Sequence, residues 1–166
     1  MNIFAIEENL AKSAKSLDNL RVVKMIVESC QILSTAMIEN GMSAPYKPTH
    51  KNHPCTKWAT HSYGNFADLA IHAESLLEEY TERFHKIHKC ESVLGEIMSN
   101  VDSSKFATRG KTPIPLCMPE EFKSNDTVAS YRRYFASKPN IRYPSDKVPN
   151  WFRELRTLPF VEIPTK

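Results

Sequence analysis

Four glycines in 166 residues leave little from which to build a loop that cradles phosphate. The signatures of phosphate-loop proteins, dinucleotide-binding folds and serine hydrolases are absent, so those classes are set aside. No apolar run is long enough to span a bilayer, and no membrane partner is expected. The opening MNIFAIEENL is acidic and short, without the charged-then-apolar order of a signal peptide, which points to a cytoplasmic protein. The four cysteines (Cys30, Cys55, Cys90, Cys117) include no CxxC pair, in a chain large enough to fold without covalent staples. Reduced thiols are expected. Charge of one sign is scarce too: the net charge is +3 and the pI about 8.6, which permits an anionic partner without requiring one.

What remains is an ordinary globular composition, 41% hydrophobic and 25% charged, at a length that suits one domain with a real core. The stretch Leu17 to Asn40 organises it. Its apolar residues cover most of a helix circumference, which places the helix inside the domain. The polar exceptions Arg21, Lys24, Glu28, Gln31 and Thr35 step by three or four and share one face. Asp18 stands where an N-cap belongs. Such a stripe either faces water, the ordinary case, or lines a polar groove, which the width of the apolar arc makes an equal reading.

Residues 1 to 8 read as a short strand or extended lead, followed by a short helix from Asn9 to Lys15. Asn40-Gly41 ends the central helix. A proline-bearing loop leads to a short helix after Pro54. Asn65 is the expected cap of a second long helix running to about Lys86, with Phe66, Leu69, Ala70, Ala73, Leu76, Leu77, Tyr80 and Phe84 as its core stripe. Its other side carries Asp68, His72, Ser75, Glu79 and Arg83, and Glu78, Glu79 and Glu82 near Arg83 and Lys86 read mostly as a solvated, salt-bridged face. A helix from Glu91 to Val101, a packed loop over 102 to 124, a helix capped near Asp126 and a short one after Pro149 complete a predominantly α domain. The fold class is all-α, a single helical domain around the buried first long helix.

Two segments share the spacing H-x-x-H-x-C, namely His50, His53, Cys55 and His85, His88, Cys90. Zinc accepts both ligand types, yet a structural site needs four converging ligands, so no metal is assigned. No cysteine is singled out as a nucleophile beside a base. The run Tyr131, Arg132, Arg133, Tyr134, Phe135 joins cations to rings. It suits phosphates and an exposed base, or else a core edge with solubilising arginines.

LDNLRVVKMIVESCQIL followed by THKNHPCTKWATHSYGNFADLAIHAESLLEEYTERFHKIHK resembles small phage and bacterial proteins grouped with pyrimidine-dimer DNA glycosylases, relatives of endonuclease V. The order and spacing of the LDNxR, N-H-P, Trp and E-Y-x-x-R elements carry the resemblance over about residues 14 to 90. It implies an all-α domain whose first long helix borders the active site. It also implies an amine nucleophile that attacks C1′ of a damaged nucleotide, forms a Schiff base and eliminates phosphate, assisted by a carboxylate on that helix. Asp18 matches the carboxylate and Arg21 the phosphate-holding basic residue. His53, Trp58 and Arg83 match further family positions, and Tyr131, Arg132 and Arg133 are similar to the C-terminal aromatic-basic run. The nucleophilic amine is Met1, retained because position 2 is Asn, or Lys24 on the stripe. Glu28, Gln31, Lys86 and His88 complete the candidate binding set. The expected partner is DNA or a nucleotide, with no cofactor; the other reading is a non-catalytic protein that captures a nucleotide or nucleic acid in the same groove.

Overall fold

The computed structural model describes residues 2–157. The chain enters as an extended lead in which Ile3, Phe4, Ala5 and Ile6 are all buried. A sheet strand would alternate its side chains between two faces. No strand forms among the described residues, so nothing imposes alternation and the whole lead packs inside. Each isoleucine buried this way contributes about 1.5–3 kcal/mol. Asn9 then turns the chain into α1 (Leu10–Lys15), its Oδ1 accepting from the Lys12 amide at 2.8 Å.

The central helix is α2 (Asn19–Glu39), closed by Asn40 and by Gly41 at φ 74°. Asp18 has the extended backbone of a cap, but its carboxylate makes no capping bond. Next come α3 (Pro54–His61) and α4 (Tyr63–Phe84). Ser62, rather than the expected Asn65, caps α4: its Oγ accepts from the Asn65 amide at 3.1 Å, so the helix begins three residues earlier. The Asn65 side chain instead donates to the Trp58 carbonyl and Thr112 Oγ1, each at 2.8 Å. Then follow α5 (Cys90–Asn100), α6 (Thr127–Ala136), capped by Asp126 as expected, and α7 (Asn150–Thr157).

The long helices α2 and α4 pack on each other; α1 lies along α4, and α3 and α5 touch both. One hydrophobic cluster joins the lead to Phe135 and Phe152 at the far end of the chain. Glu78, Glu82 and Lys86 are exposed as expected, but Glu79 is buried, and the side of α4 that carries His72 lies under α1. His72, Ser75 and Glu79 are all buried there. His72 Nδ1 donates to the Leu10 carbonyl at 2.8 Å, and burial pushes its pKa down to about 4. Residues 102–124 form a packed connection, pinned where Trp58 Nε1 donates to the Thr112 carbonyl at 3.0 Å. Gly64 lets it approach: a Cβ there would stand 2.9 Å from the Arg109 carbonyl oxygen. No helix among the described residues is long and apolar enough to cross a membrane.

Candidate active site

The polar stripe of α2 divides into three parts. At its beginning, Asp18 is fully enclosed and pairs with Arg21, Oδ2 to Nη1, at 3.1 Å. Arg21 lies over the Phe135 ring at 5.5 Å, and the backbone of Asn19 donates to the Arg142 carbonyl at 2.9 Å. This is a brace that ties the start of α2 to the segment after α6. At the other end, Thr35 is buried and exchanges hydrogen bonds with the Thr49 backbone, donating at 3.2 Å and accepting at 3.0 Å. That exchange anchors the loop carrying His50 and His53.

The middle of the stripe is what a ligand can reach. Lys24 is 65% exposed and its Nζ lies 3.6 Å from Glu28 Oε1. The other carboxylate oxygen, Glu28 Oε2, accepts from the Asn2 backbone nitrogen at 3.2 Å. Gln31, half-buried, follows Glu28 by one helical turn. The buried lead is what brings the beginning of the chain here, 26 residues from Glu28 in sequence. Asn2 is held a second time, its Nδ2 donating to the Cys117 carbonyl at 2.8 Å. His53 caps α3, its Nδ1 accepting from the Cys55 amide at 3.2 Å. Burial lowers the His53 pKa, with the negative charge of Glu28 pulling the other way. The imidazole is therefore mainly neutral at neutral pH, within electrostatic reach of Glu28.

Several expected site residues are committed elsewhere. The Arg83 guanidinium donates to Glu79 at 2.7 Å, the Leu17 carbonyl at 2.8 Å and the Lys15 carbonyl at 3.0 Å, closing the exit of α1. Trp58 is buried against the 102–124 connection. Tyr131 is fully buried, its hydroxyl donating to the Pro115 carbonyl at 2.7 Å. Arg132 holds the lead, Nε to the Ile6 carbonyl at 2.7 Å and Nη2 to Glu7 at 2.6 Å, with Trp151 stacked against it. Arg133 is exposed and donates to the Phe122 carbonyl at 3.0 Å. His88 Nδ1 accepts from the Cys90 amide at 3.1 Å and its ring meets Tyr80 edge-on. Lys86 is exposed just beyond α4. Met1 lies outside the described residues. The repeated H-x-C spacing thus has one local meaning in both segments: a histidine nitrogen satisfies the amide of the cysteine two residues on, at a helix start.

A groove of about 970 Å³ between α4 and α5 has an apolar floor with Ile71, Leu94 and Met98, but Glu74, Glu78, Glu82 and Glu91 also line it. Carboxylates in that number repel phosphate, so the groove is a poor seat for DNA.

The amino-terminal backbone set against a carboxylate in mid-helix is the geometry to compare with known proteins. A sequence model described as pyrimidine dimer DNA glycosylase matches residues 1–92, which contain the lead, α2, the His50–His53 loop, α3 and α4. The chain belongs to the pyrimidine dimer DNA glycosylase family. No curated protein and no solved structure matches it. Membership in a DNA glycosylase family makes DNA the substrate class. The matched region holds Lys24, Glu28, Gln31 and His53, whereas Tyr131, Arg132 and Arg133 fall beyond it.

Sequence reasoning placed Glu28 and Lys24 on one face and gave the carboxylate role to Asp18, which the structure encloses beside Arg21. It missed Asn2 and Cys117, whose approach to the stripe comes from tertiary packing. The signal that could have found Asn2 was IFAI, four consecutive apolar residues right after it, which is long enough to bury a lead and fix its start.

Proposed function

We propose that this family member excises a damaged or modified base from DNA through the amine at its amino terminus, with Glu28 as the helix-borne carboxylate. One observation carries the reading: the Asn2 nitrogen lies 3.2 Å from Glu28 Oε2. If Met1 is removed, that nitrogen is the α-amine. If Met1 is kept, its α-amine is three covalent bonds away from that nitrogen, within about 4 Å of it. An α-amine ordinarily titrates near 7.7–8.0, more than two units below a lysine ammonium, so it supplies free base at neutral pH without special surroundings. Lys24, solvated and paired with Glu28, serves better as a cation for the phosphate flanking the lesion.

The amine lone pair attacks C1′ of the damaged nucleotide. The bond from C1′ to the base breaks and its electron pair leaves with the base. Glu28 accepts a proton from the attacking nitrogen; opening of the sugar ring then gives the imine. Removal of a C2′ proton expels the 3′ phosphate, and water returns the amine. Neutral His53, near Glu28, and Gln31, one turn along, are suited to hold the sugar or the base edge. Asp18 and Arg21, enclosed in their brace, have a supporting role.

Borohydride trapping tests this, with one ultraviolet-irradiated duplex and one duplex containing an abasic site. The expected result is a protein–DNA adduct that mass spectrometry maps to the amino-terminal residue. Glu28→Gln should lower its rate of formation by about 10²–10⁴-fold while the mobility shift persists. An adduct on Lys24 would reassign the nucleophile. A persistent shift with no adduct would overturn the lyase mechanism in favour of a protein that captures nucleic acid without reacting.

A further inference from the structure

Beside the amino terminus lies a cluster whose two thiols the glycosylase chemistry does not use. His53 caps α3, Cys55 is the second residue of that helix, and Cys117 arrives from the 102–124 connection. One ligand atom from each lies within 4.8 Å of the others. The two sulfurs are 3.3 Å apart although 62 residues separate them in sequence. Cys55 is fully buried, whereas His53 and Cys117 are half-buried, so the cluster is walled on one side and open to an entering ion on the other.

We propose that His53, Cys55 and Cys117 bind one thiophilic divalent cation of the zinc type, which clips the connection to the start of α3. Two thiolates and an imidazole are a donor set that favours zinc over magnesium or calcium. Zinc–sulfur bonds of about 2.3 Å at the tetrahedral angle put sulfurs roughly 3.8 Å apart, so the pair needs to open by about half an ångström. Binding replaces the thiol protons with the cation and frees His53 from its contact with the Cys55 amide. Three protein ligands leave a fourth position. Asn2 reaches the cluster at Cys117: its Nδ2 holds the Cys117 carbonyl, and its Oδ1 is buried without a partner among the described residues. An oxygen ligand there, from Asn2 or from water, completes the tetrahedron. The second pair of thiols, Cys30 and Cys90, belongs to no such cluster among the described residues and provides the control.

The proposal does not rest on the assignment of the nucleophile, and its test needs no DNA. Reduced, metal-free full-length protein is titrated with Co²⁺. The expected result is sulfur-to-cobalt charge-transfer absorption that saturates at one ion per chain and is displaced by Zn²⁺. Cys117→Ser and Cys55→Ser should each weaken binding by about 100-fold or more, and Cys90→Ser should leave it unchanged. Zn²⁺ should raise the melting temperature of the parent protein but not of Cys117→Ser. The absence of charge-transfer absorption in the parent protein overturns the proposal, and this measurement involves no variant that must fold. So does absorption that survives both serine substitutions.

Discussion

Replacing Asp18 with asparagine separates a brace from a catalyst. The Asp18 carboxylate is fully enclosed, and the side chain of its partner Arg21 is 10% exposed. In Asp18→Asn the guanidinium keeps the Phe135 ring at 5.5 Å and a contact with the Pro139 carbonyl at 3.4 Å, but no counter-charge. Breaking a buried pair from one side costs about 3–5 kcal/mol, because the remaining charge stays desolvated. Asparagine still offers an oxygen, so the lower end, about 3 kcal/mol, is the expected loss. With a urea dependence of about 2 kcal/mol per molar, the unfolding midpoint should fall by about 1.5 M. The melting temperature should drop by about 6–12 °C. Arg21→Met in the same molecule should recover a good part of the loss, since it removes the stranded charge. The assay pairs urea unfolding with single-turnover excision at a temperature where both proteins are folded. Turnover per folded molecule should be nearly unchanged. An unfolding midpoint within about 0.3 M of the parent, together with lost turnover, would refute the brace and return Asp18 to the chemistry.

Two further predictions concern the fold. His72 has a folded pKa of about 4 against about 6.5 unfolded, so the unfolded chain binds a proton that the folded one refuses. Stability from this residue is whole above pH 6.5 and falls by about 3 kcal/mol as pH drops to 4; His72→Gln, which keeps a donor, should flatten the pH dependence of urea unfolding in that window, and an unchanged slope would count against the assignment. Gly64→Ala should cost about 1–3 kcal/mol by calorimetry, because its Cβ would stand 2.9 Å from the backbone oxygen of Arg109; a melting temperature equal to the parent's would mean that the connection yields freely.

The helices were legible because their signals are local. Asn9 and Asp126 cap the helices expected of them, and the IVESCQILSTAMI pattern announced the buried α2. The solvated reading held for Glu78, Glu82 and Lys86 and failed at Glu79, for a non-local reason. Glu79 looks like its exposed neighbours until Arg83 and Lys147 close on it, and nothing at helical spacing encodes what a distant segment will cover. The cap of α4 failed more narrowly. Ser62 and Asn65 are both good caps, and the tertiary demand of the Trp58 carbonyl and Thr112 took Asn65 away.

The site shows the same limit in a sharper form. Periodicity placed Arg21, Lys24, Glu28, Gln31 and Thr35 on one face correctly, but a stripe has no mark for where protein ends and solvent begins. Packing draws that line. Arg21 is closed off by Phe135 and the segment after α6, and Thr35 by the Thr49 backbone, so Lys24 is the widely open position of the five, with Glu28 and Gln31 half-buried beside it. The residues that enclose its two ends are the reason the proposed mechanism draws on Lys24 and Glu28 out of five chemically plausible candidates. The same enclosure gives the tertiary network a function. Arg132 and Trp151 fasten Glu7 and the Ile6 carbonyl, and Ile3 to Ile6 are buried, so the lead has little freedom to withdraw Asn2 from Glu28. An amine delivered by a frayed terminus would lose entropy each time it reached the carboxylate; delivered by a buried lead, that entropy is already spent in folding. Under the proposed amine mechanism, the arginine-aromatic run of α6 would support catalysis by holding the beginning of the chain in place, with Arg132 turned to the protein's own backbone and not to a phosphate.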